Sequence, residues 1–136
     1  MSTLKEKGVS VDIDGAPYTL IFNLNALDAV LEEYGTVNEF HRIMSSGKVI
    51  EVMQVVTFLL SVMVNDDIEA QNERLPREKW IPLFTQNGIT RHITPKNYPV
   101  YQTAVYEAVA NGNPEMSQED LDKAMEELKN AQAKQE

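Results

Sequence analysis

Sixteen residues from Val49 to Val64, VIEVMQVVTFLLSVMV, limit what this chain can become more than any other stretch, because twelve of them are apolar. Wound as a helix, the polar four (Glu51, Gln54, Thr57 and Ser61) fall on one arc about 120° wide, and the remaining circumference is apolar. Burying the apolar side chains would contribute roughly 20–35 kcal/mol gross, before chain entropy is subtracted. Such a helix needs cover on most of its sides. Its own domain supplies that cover, or another chain does.

A bilayer span is the competing form. At 1.5 Å rise per residue the segment reaches about 24 Å, against a hydrocarbon core of roughly 30 Å. Glu51 and Gln54 would be costly in lipid, and only Lys48 flanks the run with positive charge. The expectation is a buried helix and no membrane partner.

With 136 residues the chain has the size of one domain, able to bury roughly two-thirds of its unfolded surface. Cysteine is absent, which excludes disulfides, thiolate nucleophiles and cysteine zinc sites. The opening MSTLKEKG lacks the apolar core of a secretory signal, so a cytoplasmic location is expected. A formal charge of −9 disfavours direct binding to nucleic-acid phosphates. Seven acids and three bases lie between Glu115 and Glu136.

Residues 8–23 alternate as a hairpin does. Val9, Val11 and Ile13 share one strand face; Tyr18, Leu20 and Phe22 share a face of the next; Asp14-Gly15-Ala16-Pro17 forms the turn. Asp12 and Asp14 resemble the start of a calcium loop, but Ala16 and Pro17 stand where that loop needs Asp or Asn and then Gly. A helix follows, capped by Asn23 or Asn25, with Ala26, Leu27, Val30, Leu31 and Tyr34 on its apolar face and Gly35 at its end. Thr36 and Glu39 form a capping box for the next helix, whose apolar face is Val37, Phe40, Ile43 and Met44.

These residues carry a resemblance. A hairpin ending in DGAPYTLIFNLNALDAVLEEYG, with capped helices directly after it in a small acidic protein, resembles the tail assembly chaperones of long-tailed (siphovirus-type) bacteriophages and prophages. The matching residues are the aromatic strand Tyr18, Leu20 and Phe22, then Asn25-Ala26-Leu27, Leu31-Glu32-Glu33 and Gly35. They cover about the first half of the chain. The resemblance implies a cytoplasmic protein of the bacterial host that engages the tape measure protein, the major tail tube protein, or both, before and during tail polymerisation. It also implies absence from the mature virion.

Beyond the central helix, which continues in polar form towards Pro76, the pattern is less regular. Pro76 and Pro82 bracket a helical turn in which Trp80 and Phe84 meet at i, i+4. Asn87-Gly88 marks a turn and Ile89–Thr94 an extended segment. Tyr101, Ala104, Val105, Ala108 and Val109 give a last buried helix stopped at Asn111-Gly112. Residues 113–136 are expected as an acidic tail, mobile or weakly helical, with Leu121, Met125 and Leu128 as a thin apolar stripe.

No nucleotide-binding glycine motif, metalloprotease motif or nucleophile elbow is present. His41 and His92 are the only histidines and nothing in their spacing brings them together, so no cofactor, metal site or catalytic residue is assigned. Carboxylate pairs such as Asp66-Asp67 fit a solvated helix face. Met44, Met53 and Met63 fit core filling, or a pliable groove for an aggregation-prone client.

The expected fold is α+β and mostly α: a short N-terminal hairpin, then a small helical bundle around a central apolar helix. Residues 1–112 would form one globular domain. The interface residues assigned to the outer side of the central helix are Val52, Val55, Phe58, Leu59, Val62 and Met63; whether each faces core or partner is left open by a helix apolar over two-thirds of its girth. Self-association is expected if the chain cannot cover that helix. An acidic mimic of nucleic acid and a structural tail or connector subunit are the other function classes that fit.

Overall fold

The computed structural model describes residues 8–112. In order these form β1 (Val9–Ile13), β2 (Ala16–Leu20), α1 (Leu24–Tyr34), α2 (Val37–Met44), α3 (Val49–Asn72), α4 (Gln86–Thr90) and α5 (Tyr98–Gly112), with a 3-10 turn at Arg77–Lys79 between α3 and α4. The expected α+β architecture, mostly helical around a long apolar helix, is the one observed. The proposed tail 113–136 lies outside the described residues.

The hairpin turn is tighter than the four residues read from sequence. Ile13 pairs with Ala16, so only Asp14 and Gly15 turn, both at positive φ (53° and 82°), as a two-residue type I′ connection requires. Ala16 and Pro17 belong to β2. Because the pair flanking a two-residue turn is hydrogen-bonded, Asp12 and Pro17 fall at a non-hydrogen-bonded position, where proline's missing N–H costs no ladder bond. The outer edges are occupied from elsewhere. The Thr19 N–H donates to an Asp67 carboxylate oxygen at 3.2 Å, and the Tyr101 hydroxyl donates to the Asp12 carbonyl at 2.7 Å.

Local chemistry places the first two helices. The Asn23 side chain accepts from the Ala26 N–H, and Gly35, at φ 87°, closes α1 by donating its N–H to the Leu31 carbonyl. Thr36 caps α2 by accepting from the Glu39 N–H, but the Glu39 carboxylate turns to Arg42 at 2.6 Å, so the capping box is only half made.

α3 forms the axis of the domain. Val52, Val55, Val56, Leu59, Leu60, Met63, Val64 and Ile68 are buried, and the hairpin, α1, α2, α4 and α5 all pack against it. Val11, Ile13, Tyr18 and Leu20 bring in the inner hairpin face; Tyr101, Ala104, Val105, Ala108 and Val109 bring in α5 as expected. Phe22 stacks on Phe40 at 6.2 Å, and α5 approaches so closely there that a β-carbon on Gly112 would overlap the Phe22 carbonyl oxygen. Tyr106 is fully buried and its hydroxyl donates to the Met44 carbonyl at 2.7 Å. α3 runs on to Asn72, and by length and composition it is long enough to cross a membrane, which removes the length argument raised against a span. Most of its apolar residues face this protein's own core, Ile50 and Met53 excepted, and its Asp66 and Asp67 bind α1 and the hairpin.

The chain after α3 differs from the sequence reading. Only Arg77–Lys79 is helical; Trp80 has φ −61° and ψ 137°, an extended conformation that separates it from Phe84. The Phe84 ring meets Tyr18 at 6.1 Å and His92 at 6.2 Å instead. Two amides of α3 hold this strip. Asn72 donates to the Ile81 carbonyl (3.0 Å) and accepts the Ile81 N–H (2.8 Å); Asn65 does the same with Phe84 (2.9 Å each). Seven helical residues advance about 10.5 Å and three extended residues about 9–10 Å, so the two spacings match. Ile89–Thr94 is not extended: Thr85 caps α4 through the Gly88 N–H, and Ile89 is buried.

Candidate functional site

The six residues assigned to an outer face do not form one. Val52, Val55, Leu59 and Met63 are fully buried in the protomer, and Phe58 and Val62 are half-buried against the same core. The physical reason lies in the neighbours. The hairpin, α1, α2, α4 and α5 all pack on α3, and they occupy these positions. Phe58 meets Tyr34 edge to face at 5.8 Å, and burial, with Glu33 beside it, pushes the Tyr34 phenol up to about 12. Met44 and Met63 fill core; of the three methionines, only Met53 is exposed.

The outward apolar residues of α3 are Ile50, 72% exposed, and Met53, 41% exposed. At helical spacing Ile50 lies between Thr57 and Ser61, inside the very arc read as polar, and Met53 borders it. Ser61 makes the opposite move: it is buried, with its hydroxyl donating to the Phe58 carbonyl at 2.7 Å. The sequence held this signal. An isoleucine in the polar arc is a large apolar side chain with nothing local to cover it.

α1 presents a second exposed pair. Leu24 is 80% exposed and Leu31 40%, seven residues apart on the face turned away from buried Ala26 and Val30. Leu31 had been expected in the core face. The orientation of α1 is fixed by Asp66, whose two carboxylate oxygens accept from the Asn23 side chain (2.8 Å) and the Asn25 side chain (2.9 Å). Asp67 accepts from the Thr19 N–H and the Gln71 amide. Those carboxylates are therefore structural acceptors rather than a solvated face.

A third exposed group is Leu75, Trp80 and Leu83 in the strip after α3. The Trp80 indole N–H donates to the Leu75 carbonyl at 3.1 Å, and the Arg77 guanidinium lies 5.5 Å from its ring centroid. His41 and His92 lie beside Phe40 and Phe84, respectively, on separate elements. Among the described residues, no three His, Cys, Asp or Glu side chains are grouped so as to hold a metal ion. What these surfaces can do chemically is bury apolar area against another polypeptide.

Comparison with known proteins gives no match to a family model, to a curated protein or to a solved structure.

Proposed function

We propose that this protein is a phage tail assembly chaperone that holds the tape measure protein, the tail tube protein, or both, before and during tail polymerisation. A long apolar helical client exposes surface that aggregates until the tube encloses it. A small acidic protein that exposes apolar side chains on its helices can cover that surface and keep the complex soluble. Weak contacts repeated over many copies permit displacement by tube subunits.

The observation that carries the reading is the exposure of Leu24 and Ile50, large apolar side chains that the protein's own core does not use. It is supported by the resemblance of residues 14–35 to that family. The client surface in this proposal is the Leu24/Leu31 face of α1 and the Ile50/Met53 edge of α3, in place of the buried side of α3. The protein acts in the host cytoplasm, without catalysis.

Co-expression of the tagged protein with the products of its neighbouring genes, followed by affinity purification, tests this. The expected result is recovery of a long helical client or a tube protein that is insoluble when expressed alone. Blotting purified virions separates the chaperone from a structural subunit: stoichiometric presence in the particle would reject the proposal.

A further inference from the structure

Two exposed apolar surfaces of this chain differ in charge. The first is the outer face of α1. Leu24, Asp28 and Leu31 follow one another at helical spacing, Glu32 stands beside Asp28, and all four are exposed. No lysine or arginine occurs between Gly8 and His41, so neither the hairpin nor α1 supplies a cation to that face.

The second surface is the strip after α3. Leu75, Trp80 and Leu83 are exposed there, with Arg74, Arg77 and Lys79 exposed among them. Glu73 and Glu78 lie in the same stretch, so its charge is three bases against two acids. Among the described residues the one ion pair joins Arg42 to Glu39, so neither of these glutamates pairs with the strip's cations. Trp80 is 50% exposed although two contacts fix its ring, the indole bond to the Leu75 carbonyl and the Arg77 guanidinium over its face. A tryptophan already ordered beside an arginine loses little freedom on contact, and these are the side chains that most often anchor protein interfaces.

Within one protomer the two surfaces do not cover each other, since Leu24 is 80% exposed and Trp80 is half-exposed. The other exposed apolar edge, Ile50 and Met53, is flanked by Lys48 and Glu51 and so offers the strip no preferred sign. The α1 face does offer one: leucines for the apolar side chains, and Asp28 and Glu32 for Arg77 and Lys79.

We propose that the strip formed by Leu75, Arg77, Lys79 and Trp80 receives the Leu24–Leu31 face of α1 from a second copy of this chain. Because the two surfaces differ, the contact is head to tail. A client bound at Leu24 and Leu31 would compete with it. The contact itself needs no client, and its test is separate from that reading.

Sedimentation velocity of the full-length protein at rising concentration reads the contact. The wild-type mass should rise with concentration, and the emission of Trp80, the sole tryptophan, should shift to the blue as a second copy covers the ring. Variants R77E/K79E and D28R/E32R should each lose both effects while circular dichroism melting shows that the fold is kept. D28R/E32R makes the chain less negative, so its loss of association is not general repulsion. Mixed in equal amounts the two variants should regain association, because one keeps the native α1 face and the other the native strip. R77E/K79E leaves Leu24, Leu31 and Ile50 untouched, so client recovery is scored independently. A wild-type protein that keeps the mass of one copy at every concentration, association undiminished in either variant, or a mixture that stays apart would each overturn the proposal.

Discussion

The side-chain amide of Asn65 holds both backbone groups of Phe84, donating to its carbonyl and accepting its N–H at 2.9 Å each, as a neighbouring β-strand would. Two turns later Asn72 holds Ile81 in the same way. A helix thereby supplies the ladder for an extended strip that pairs with no strand among the described residues.

That relationship sets the first expectation. Asn65→Ala should lower unfolding free energy by about 2–4 kcal/mol in urea titrations, because two half-buried backbone groups lose their partners. Asn72→Asp keeps the acceptor for the Ile81 N–H but turns a buried carboxylate oxygen towards the Ile81 carbonyl, and should cost at least as much as Asn72→Ala. An Asn72→Asp variant as stable as wild type would mean that the paired geometry contributes nothing.

Burial separates two variants on one helix. Leu59→Ala should cost about 2–5 kcal/mol, since a fully buried leucine leaves a cavity beside Val55 and Met63. Ile50→Asp should stay within about 0.5 kcal/mol of wild type, being exposed. In the proposed function, Ile50→Asp and Leu24→Asp should lose client recovery while the melting curve is unchanged.

Much of the fold is readable from local signals. The alternating strands, the Asn23 and Thr36 caps, the Gly35 stop and the stripe from Tyr101 to Val109 each follow from a period or a cap that acts within a few residues. The Asn65–Phe84 and Asn72–Ile81 pairs are not readable that way, because two asparagines seven apart look like an ordinary polar helix face. The site misread has another cause. A run apolar over two-thirds of its girth fits core and interface equally, so Val52, Val55, Leu59 and Met63 carried no label of their own. Ile50 did carry one, as the apolar member of a polar arc.

Close packing sets a further test. Gly112→Ala should destabilise by about 1–3 kcal/mol, because its methyl group meets the Phe22 carbonyl with no flexible side chain to yield. Thermal melting of the full-length variant reads this out. An unchanged melting temperature would show that α5 and Phe22 separate at no cost.

Alkaline pH should unfold the protein through its buried phenols. Burial raises the Tyr106 phenol, with Tyr98 adding to it, and burial raises Tyr98 as well; Tyr34 goes to about 12. A phenol whose folded value lies above its unfolded value of about 10 contributes stability fully below that point, and loses it as pH rises through the folded value. Melting temperature should hold up to about pH 9 and fall from about pH 10 towards 12. Tyr106→Phe should flatten the fall while losing the hydroxyl bond to the Met44 carbonyl at neutral pH.

The hairpin carries a consequence for crowded conditions. Pro17 has no hydrogen to offer, the Thr19 N–H is taken by Asp67, and the Asp12 carbonyl is taken by Tyr101. A two-stranded sheet with both flanks answered in this way gives an incoming strand little to zip onto. High concentrations of this protein should therefore not seed cross-β fibres from this hairpin, whose flanks are held by side chains of α3 and α5.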